Sequence, residues 1–398
     1  MYVTKIRQQR RLAGVLNYAD ARRRAWKVLP RLLFDYIDGG ADDELTMRDN
    51  VERFGELRLR PRTGEWVPVP ELSTEVLGTA LSMPVLTAPC GGMRLVHPDG
   101  DLAIARAAAR AGVAPVVPSG GGYSLEEVAA SAEGPRWFQL YKFSNRAGME
   151  GLVERARDAG YHALVMTIDT NIAGNRERDF RNGFGYDLRI NVRNALRLGP
   201  QMARRPGWAF RFWRDGMPFE LPNTAPFGSD GRAMSLTEMA RSGAESFSPT
   251  WHDVALVRKV WNGALVVKGV LAGDDARQAV DLGADAVVVS NHGGRQLDGV
   301  PAAIDALPEV VAAVGGAAEI LLDGGVRRGG DVVKALALGA KAVLLGRPIV
   351  WGLAVAGEAG AVHMLELLRA QIIRTMCLMG CPSVTRLGAE WLWERPRG

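Results

Sequence analysis

The feature that most constrains the fold is a regular alternation of short apolar runs and longer alanine-rich segments, which begins at Met83. The short runs are rich in β-branched residues and predict strands, whereas the longer segments have helical periodicity and predict helices. Eight such runs follow one another: MPVLTAP from Met83, VAPVVPS from Val113, RWFQLY from Arg136, ALVMTID from Ala163, ALVVKG from Ala264, AVVVSN from Ala286, EILLDGG from Glu319 and AVLLGR from Ala342.

These runs are apolar throughout rather than alternating, which is typical of parallel strands that helices cover on both faces. Eight strand and helix units match the (β/α)8 TIM barrel, whose usual size is about 250 residues. A doubly wound open sheet is the alternative, but it rarely needs eight evenly spaced units. We therefore predict an α/β fold in which the whole chain, 1–398, is a single domain. It would have an N-terminal helical region over 1–80, a TIM barrel over 83–380 and a long insertion after strand 4, about 170–250.

The basic charge of the chain is concentrated in that insertion. The formal net charge is +5, but Arg189–Arg214 contains seven arginines and no acidic residue, so the remainder sums to −2. Arg189, Arg193 and Arg197 recur every four residues and share a predicted helical face. The aromatic residues that follow are Trp208, Phe210, Phe212 and Trp213. Such a segment suits an anionic membrane surface, with an active-site lid or subunit contact as the alternative; the acidic remainder disfavours nucleic acid.

Cysteine usage and hydropathy bear on the compartment. The three cysteines, Cys90, Cys377 and Cys381, are too few and too scattered for a disulfide framework, which favours a reducing environment. No apolar run reaches the roughly 20 residues that span a bilayer, and no apolar core of the signal-peptide type follows the basic N-terminus. We therefore predict a cytoplasmic protein, with peripheral attachment to the inner face of the cell membrane as the alternative.

Polar or ionisable residues close seven of the eight apolar runs. Catalytic groups of TIM barrels lie at the carboxyl ends of the strands, so this set predicts an active site more readily than it predicts packing. In chain order the residues are Pro89, Cys90 and Gly91, then Ser119, Gln139, Tyr141, Thr167, Asp169, Lys268, Ser290, Asn291, His292, Asp323, Gly346 and Arg347.

Strands seven and eight end in a pattern typical of phosphate binding. The segment DGGVRRGGD, from Asp323 to Asp331, and the pair Gly346 and Arg347 supply glycines for close backbone approach and arginines that engage anion oxygens. Because many barrels bind phosphorylated substrates, this pattern alone leaves open a lyase or isomerase that uses Lys268. A binding barrel without catalysis also remains open.

His292 is the sharpest catalytic candidate, because it ends strand six within SNHGGRQLDG. Histidine titrates near neutrality and is a natural general base, and Asp169 at another strand end is placed to orient it. Arg176 and Arg295 are candidates for a joint clamp on a substrate carboxylate. The chain has no HExxH motif and no zinc-ligand spacing, so we expect no metal.

These residues resemble the FMN-dependent α-hydroxy-acid dehydrogenase and oxidase family, which includes glycolate oxidase, L-lactate dehydrogenase and mandelate dehydrogenase. SNHGGRQLDG matches the family signature almost letter for letter. The similarity runs from LPRLLFDYIDGGADDELT through LLDGGVRRGGDVVKALALGA to the last helix, and it weakens only between residues 180 and 245.

The resemblance implies that FMN lies at the barrel mouth, with its phosphate on the glycines and arginines of strands seven and eight. Lys268 would place positive charge beside N1 and the C2 carbonyl of the flavin ring, which stabilises the anionic reduced form. The implied cofactor contacts are Pro89, Cys90, Gly91, Gln139, Thr167, Lys268, Ser290, Asp323, Gly325, Arg327, Gly346 and Arg347.

By the same resemblance His292 removes a proton from a 2-hydroxy acid with support from Asp169, while two electrons pass to FMN and leave a 2-keto acid. A Schiff-base role for Lys268 is the alternative to its place beside the flavin. The further substrate contacts are Tyr36 and Tyr141, to the hydroxyl and carboxylate oxygens, and Arg176 and Arg295, to the carboxylate. We also expect a homotetramer.

Departures from the family bear on acceptor and substrate. Pro118 stands where many members have a hydroxyl side chain, and Gly91 replaces an alanine near the flavin N5. The monooxygenase member shares that glycine. An oxygen-using oxidase or monooxygenase is therefore the alternative to a dehydrogenase that passes electrons to quinone or another acceptor. The run Gly120–Gly122 replaces bulkier side chains, which favours a substrate larger than lactate or glycolate.

Overall fold

The N-terminal part of the chain packs as three helices against the barrel. The computed structural model describes residues 10–143, 145–183, 192–216, 220–227, 231–234 and 248–393, with the side chains of 192–197 outside that description. Asn17 caps the first helix by accepting a hydrogen bond from the backbone N–H of Asp20. The helices are α1 (Tyr18–Val28), α2 (Arg31–Asp38) and α3 (Leu45–Glu56).

Short strands follow these helices, so the prediction of a helical region over 1–80 holds only as far as Glu56. The strands are β1 (Arg58–Leu59), β2 (Thr74–Val76) and β3 (Thr79–Leu81). Strands β2 and β3 form an antiparallel hairpin whose turn residues, Leu77 and Gly78, have φ of 50° and 72°. Both angles are positive, as in the two-residue turns that match strand twist. The hairpin plugs the amino-terminal end of the barrel, since its apolar residues pack with the barrel interior.

The eight predicted strands exist and form a closed parallel barrel, which confirms the TIM barrel. They are β4 (Val85–Thr87), β5 (Ala114–Pro118), β6 (Trp137–Leu140), β7 (Ala163–Thr167), β8 (Ala264–Val270), β9 (Ala286–Val289), β10 (Glu319–Asp323) and β11 (Ala342–Leu345). Neighbours in the ring are neighbours in the chain, and β11 closes the ring on β4, where Val343 lies opposite Val85.

The remaining helices cover the outside of the ring or lie in the insertion after β7. They are α4 (Met93–Val96), α5 (Gly100–Arg110), α6 (Leu125–Ser131), α7 (Arg146–Asp158), α8 (Glu177–Asn182), α9 (Val192–Ala203), α10 (Pro206–Asp215), α11 (Trp251–Val260), α12 (Gly273–Asp281), α13 (Ala303–Val314), α14 (Gly329–Ala337), α15 (Arg347–Ala356) and α16 (Glu358–Met379). Short 3-10 helices lie at Pro222–Phe227, Val384–Arg386 and Ala389–Trp391, and β12 (Leu392–Trp393) pairs with β1. Buried side chains fill both the barrel interior and the layer between strands and helices, which is why the strands are apolar on both faces.

The insertion after β7 packs on the N-terminal helices and on α4. Trp208 in α10 is 5% exposed and donates from its indole nitrogen to the carbonyl of Leu95 at 2.9 Å. Arg205, just before α10, donates to the carbonyl of Leu29 at 3.0 Å. Arg189, the first residue of the predicted basic segment, lies outside the described residues. Within the described part of the chain, no helix combines the length and the apolar character that crossing a membrane requires.

Candidate active site

A left-handed turn after β9 sets the position of His292. The φ angles of His292, Gly293 and Gly294 are 57°, 67° and 71°. The backbone N–H of His292 donates to Ser290 Oγ at 3.0 Å. A side chain at Gly294 would meet the backbone nitrogen of Met47 at 2.6 Å, so the turn needs glycine there. Positive φ at a non-glycine residue is unfavourable and is typically kept at functional sites.

His292 forms a close pair with Asp169, as the sequence predicted. Nδ1 of the ring lies 3.0 Å from one carboxylate oxygen of Asp169 and 3.2 Å from the other. Burial opposes ionisation of this carboxyl, but the neighbouring His292 and Lys268 outweigh burial and lower the pKa of Asp169. An ionised carboxylate only accepts hydrogen bonds, so Nδ1 carries the hydrogen and Nε2 is left as the proton acceptor.

A β-bulge at Gly269 makes room for Asp169. The pairing of β8 with β9 shifts register between Lys268 and Val270, with Gly269 at φ 106°. A Cβ at Gly269 would lie 2.6 Å from the carboxyl carbon of Asp169. Bulges near active sites re-aim side chains, and the glycine at this one leaves the space that the Asp169 side chain occupies.

Lys268 is a buried cation with fixed partners. Its ammonium lies 2.9 Å from Asp323 Oδ2 and donates to Ser290 Oγ at 2.9 Å. Burial opposes the charge, but Asp323 and Asp169 outweigh burial and raise the pKa of Lys268. A charged, ion-paired lysine cannot attack a carbonyl, which argues against the lyase or isomerase alternative.

Asp323 was predicted to contact the cofactor as the first residue of the phosphate segment. Its Oδ2 is directed to Lys268 and a carboxylate would repel a phosphate, so a contact of Asp323 with the cofactor stays a prediction for its other oxygen, Oδ1. The part of the segment that can hold an anion therefore begins after Asp323. Gly325 lies against the backbone of α3 there, because a Cβ on it would lie 1.7 Å from the carbonyl oxygen of Asn50.

At the mouth, Gln139 and Asp323 each have a buried polar atom without a hydrogen-bond partner in the described structure. Gln139 donates from Nε2 to Thr167 Oγ1 at 3.1 Å, but its Oε1 has no donor. Asp323 Oδ1 likewise has none. Unsatisfied buried polar atoms are rare in folded proteins and mark a place where a ligand or ordered water belongs. Both atoms lie among the side chains predicted to hold a cofactor.

The C-terminal end of α2 holds two half-buried arginines. Arg295 donates to the carbonyls of Tyr36 at 2.6 Å and Gly39 at 3.1 Å. Arg347 donates to the carbonyls of Ile37 at 3.0 Å and Gly39 at 2.8 Å. The unpaired carbonyls at a helix C-terminus carry partial negative charge and favour cations. The N-terminal helices therefore form part of the site rather than a separate layer.

Three arginines at the mouth have no ion-pair partner among the described residues. Burial lowers the pKa of Arg295, Arg327 and Arg347, and each has another arginine nearby that lowers it further. Among the described residues, no carboxylate lies within ion-pair distance of these three guanidinium groups. Arg327 is stabilised by the rings of Tyr18 and Trp351, whose centroids lie 5.6 Å and 5.4 Å from it. Half-buried cations without a counter-ion predict anionic ligands.

The predicted carboxylate clamp surrounds Tyr36. The guanidinium carbons of Arg176 and Arg295 lie 5.8 Å and 5.1 Å from the centre of its ring. Its hydroxyl donates to the carbonyl of Gly91 at 3.1 Å. Tyr141 lies in the same group. Burial and the nearby Asp169 and Tyr36 raise the pKa of its phenol. All six residues predicted for catalysis and substrate binding therefore lie in one place.

Several residues that shape this site were not predicted. Asp179 lies 3.4 Å from the Arg176 side chain, and burial raises the pKa of its carboxyl. Asn50 exchanges two hydrogen bonds with Asn291, of 2.7 Å and 2.9 Å, which anchor the turn of His292 to α3. Asp179 lies in α8 three residues after Arg176, which immediately precedes the helix, and this spacing signals a helical ion pair. No sequence signal points to Asn50.

Cys90 follows β4 at the mouth and was predicted to contact the cofactor together with Pro89. Burial raises the pKa of its thiol to about 11. The sulfur therefore stays protonated near neutral pH, which excludes a thiolate nucleophile. A Cβ on Gly346 would lie 3.5 Å from this sulfur, so the residues that follow β4 and β11 lie close together here.

The family model described as FMN-dependent dehydrogenase matches residues 25–394 of this sequence. The chain belongs to this family. It is 42% identical over 380 residues to human 2-hydroxyacid oxidase 1, which covers 95% of the chain and 96% of the relative. It is 41% identical over 388 residues to L-lactate oxidase from a Nostoc species, covering 96% of the chain and 99% of the relative.

Solved structures agree with this FMN-dependent dehydrogenase assignment. The crystal structure of the monotopic membrane protein (S)-mandelate dehydrogenase superimposes with a TM-score of 0.89 and 39% identity, and it covers 96% of this chain and 100% of its own. The family match confirms the predicted family and the FMN cofactor. The residues present fit that cofactor, because the mouth offers half-buried arginines for a phosphate, a cation at Lys268 and an unsatisfied amide oxygen at Gln139.

Proposed function

We propose that this FMN-dependent dehydrogenase oxidises a 2-hydroxy acid to the 2-keto acid with His292 as the general base. The 3.0 Å contact between His292 Nδ1 and Asp169 supports the proposal most directly. Asp169 keeps the accepting lone pair on Nε2 and stabilises the ring once it carries a proton. Relatives named as lactate and 2-hydroxyacid oxidases support the substrate class.

The substrate carboxylate binds between Arg176 and Arg295. Both guanidinium groups flank the ring of Tyr36, and Arg295 is already held in place by two backbone carbonyls. Paired arginines recognise a carboxylate with fixed geometry, which orients the carbon that loses hydrogen. Tyr36 and Tyr141 complete the pocket as hydrogen-bonding groups for the substrate oxygens.

When bound, FMN supplies the two-electron acceptor for this oxidation. Backbone at Pro89, Cys90 and Gly91 would approach the ring from the end of β4. Lys268 supplies positive charge from β8, across the barrel, and is fixed there by Ser290 and Asp323. The remaining residues that would hold the cofactor are Gln139, Thr167, Ser290, Gly325, Arg327, Gly346 and Arg347.

Asp169→Asn tests the pairing of His292 with its carboxylate. The substitution keeps the shape of the side chain but removes the charge that stabilises a protonated ring. We expect about a hundredfold slower anaerobic flavin reduction by a 2-hydroxy acid, with unchanged FMN content and little change in KM. Reduction at the wild-type rate would contradict the proposed role of the pair.

The insertion provides a contact for an anionic membrane surface and thereby favours quinone over oxygen as acceptor. Phe210 and Trp213 in α10 are 56% and 74% exposed, and Arg214 lies beside Phe210. Exposed aromatics next to arginines suit a lipid headgroup region. The similarity to (S)-mandelate dehydrogenase, a monotopic membrane protein, supports this proposal. Peripheral attachment to the inner face of the cell membrane and a homotetramer remain predictions.

The glycine run after β5 favours a bulky substrate. Gly120, Gly121 and Gly122 are buried and offer only backbone to their surroundings. A 2-hydroxy acid with an aryl or branched side chain would meet no side chain from this loop. Gly91 keeps the oxygen-using alternative open, and comparing turnover with oxygen and with a soluble quinone decides between the acceptors.

A further inference from the structure

Asp101 anchors the buried glycine loop, which we define as Ser119–Gly122. It lies in the first turn of α5 and is 5% exposed. Its Oδ2 accepts a hydrogen bond from the backbone N–H of Gly122 at 2.9 Å. No step of the proposed reaction uses this carboxylate, so its burial needs a different explanation.

The other end of the glycine loop contacts the residues after β4. The backbone N–H of Gly92 donates to the carbonyl of Gly120 at 3.2 Å. The carbonyl of Gly91 in turn accepts the hydroxyl of Tyr36 at 3.1 Å. A chain of hydrogen bonds thus runs from α5 through the glycine loop and the residues after β4 to Tyr36.

Keeping a carboxyl group at this position is unfavourable for folding. Burial raises the pKa of Asp101 to about 6, against the opposing effects of the Gly122 amide and Arg94. The other titratable groups that sense Asp101 are Tyr123 and Tyr161, whose pKa values it helps to raise. A buried polar group is tolerated when its hydrogen bonds matter, and here the bond that reaches the site is the one to the glycine loop.

We infer that Asp101 is a positioning residue for Tyr36, which it holds through the glycine loop and the Gly91–Gly92 backbone. The inference rests on the proposed role of Tyr36 in substrate binding. Without the anchor, the glycine loop moves away from the residues after β4, and the Tyr36 hydroxyl loses its fixed acceptor. The substrate then binds less well, while the His292 and Asp169 pair is unaffected.

A double-mutant cycle on the holoenzyme tests the coupling. We expect Asp101→Ala to raise KM for the 2-hydroxy acid about tenfold with a smaller effect on kcat, and Asp101→Asn, which keeps an acceptor, to restore most of the loss. In a Tyr36→Phe background, Asp101→Ala should change KM by less than about twofold. Asp99→Asn is the matched control, because this carboxylate precedes α5 and its side chain is 53% exposed.

Equal effects of Asp101→Ala in both backgrounds would overturn the inference while leaving the role of Tyr36 intact. If Tyr36→Phe alone leaves KM unchanged, the role of Tyr36 fails and the inference fails with it. Hydrogen exchange provides a readout independent of turnover. Amides of Ser119–Gly122 should exchange about tenfold faster in Asp101→Ala than in Asp99→Asn. Equal protection in these two variants would also overturn the inference.

Discussion

Arg295 donates a 2.6 Å hydrogen bond to the backbone carbonyl of Tyr36, and its guanidinium carbon lies 5.1 Å from the ring centre of the same residue. The two residues are 259 positions apart in the chain. The contact joins the loop after β9 to the N-terminal helix α2, so the barrel alone does not complete the site. Deletion of the N-terminal helices through Gly39 would remove both a substrate contact and the carbonyls that hold Arg295.

Arg176→Leu should weaken substrate binding more than it slows chemistry. Arg176 supplies one side of the carboxylate clamp but does not touch His292 in the described structure. We expect KM to rise at least tenfold, roughly the loss of one charged hydrogen bond, with kcat changed less. The check is steady-state kinetics with substrate and with a neutral ester of the same 2-hydroxy acid. The control is Arg181→Leu, since this arginine is on α8 with its side chain 72% exposed. If KM for the acid changes equally in both variants, the clamp is not where we place it.

Lys268→Met should destabilise the protein by leaving Asp323 without its counter-ion. Removing one partner of a buried ion pair typically costs about 3–5 kcal/mol, whereas replacing both partners with apolar residues is often near neutral. The double variant Lys268→Met with Asp323→Leu should therefore recover much of the thermal midpoint but not the flavin reduction. Thermal unfolding of the three proteins at matched FMN occupancy measures this. A single variant as stable as the wild type would show that the pair contributes little.

Removing the exposed aromatics of α10 should weaken membrane binding without affecting the active site. We expect Phe210→Ser with Trp213→Ser to raise the dissociation constant for anionic vesicles about tenfold, because both side chains can enter the headgroup region. Co-sedimentation with vesicles, alongside anaerobic flavin reduction, separates the two properties. Trp66→Ser is the control, since Trp66 is 84% exposed between β1 and β2. Equal vesicle binding by both variants would defeat the membrane proposal.

The barrel strands and the polar residues at their carboxyl ends were predictable because each depends on local sequence. Apolar runs buried on both faces give a strong signal, and the polar residues that end them fall at one edge of a parallel barrel. The hairpin at β2 and β3 was missed because strands of three residues are too short to show periodicity. Its turn at Leu77 and Gly78 was the available signal.

Long-range partners were beyond prediction from one sequence. Asn50 and Asn291 are 241 positions apart, and nothing near Asn50 distinguishes it from a surface residue of α3. The partner of the Asp323 carboxylate was also unpredictable. Its position at the end of a strand places the backbone but does not determine that the side chain turns to Lys268. The resemblance to a family supplied roles for Tyr36 and Arg176, whose local patterns alone carry little information.

The anaerobic rate of flavin reduction in His292→Ala tests the central claim most directly. Without an acceptor for the substrate proton, we expect the rate to fall by about a thousandfold or more while FMN stays bound at wild-type occupancy. Stopped-flow absorbance of the flavin after mixing with a 2-hydroxy acid measures this in a single turnover. A rate within about tenfold of the wild type would contradict the assignment of His292 as the base.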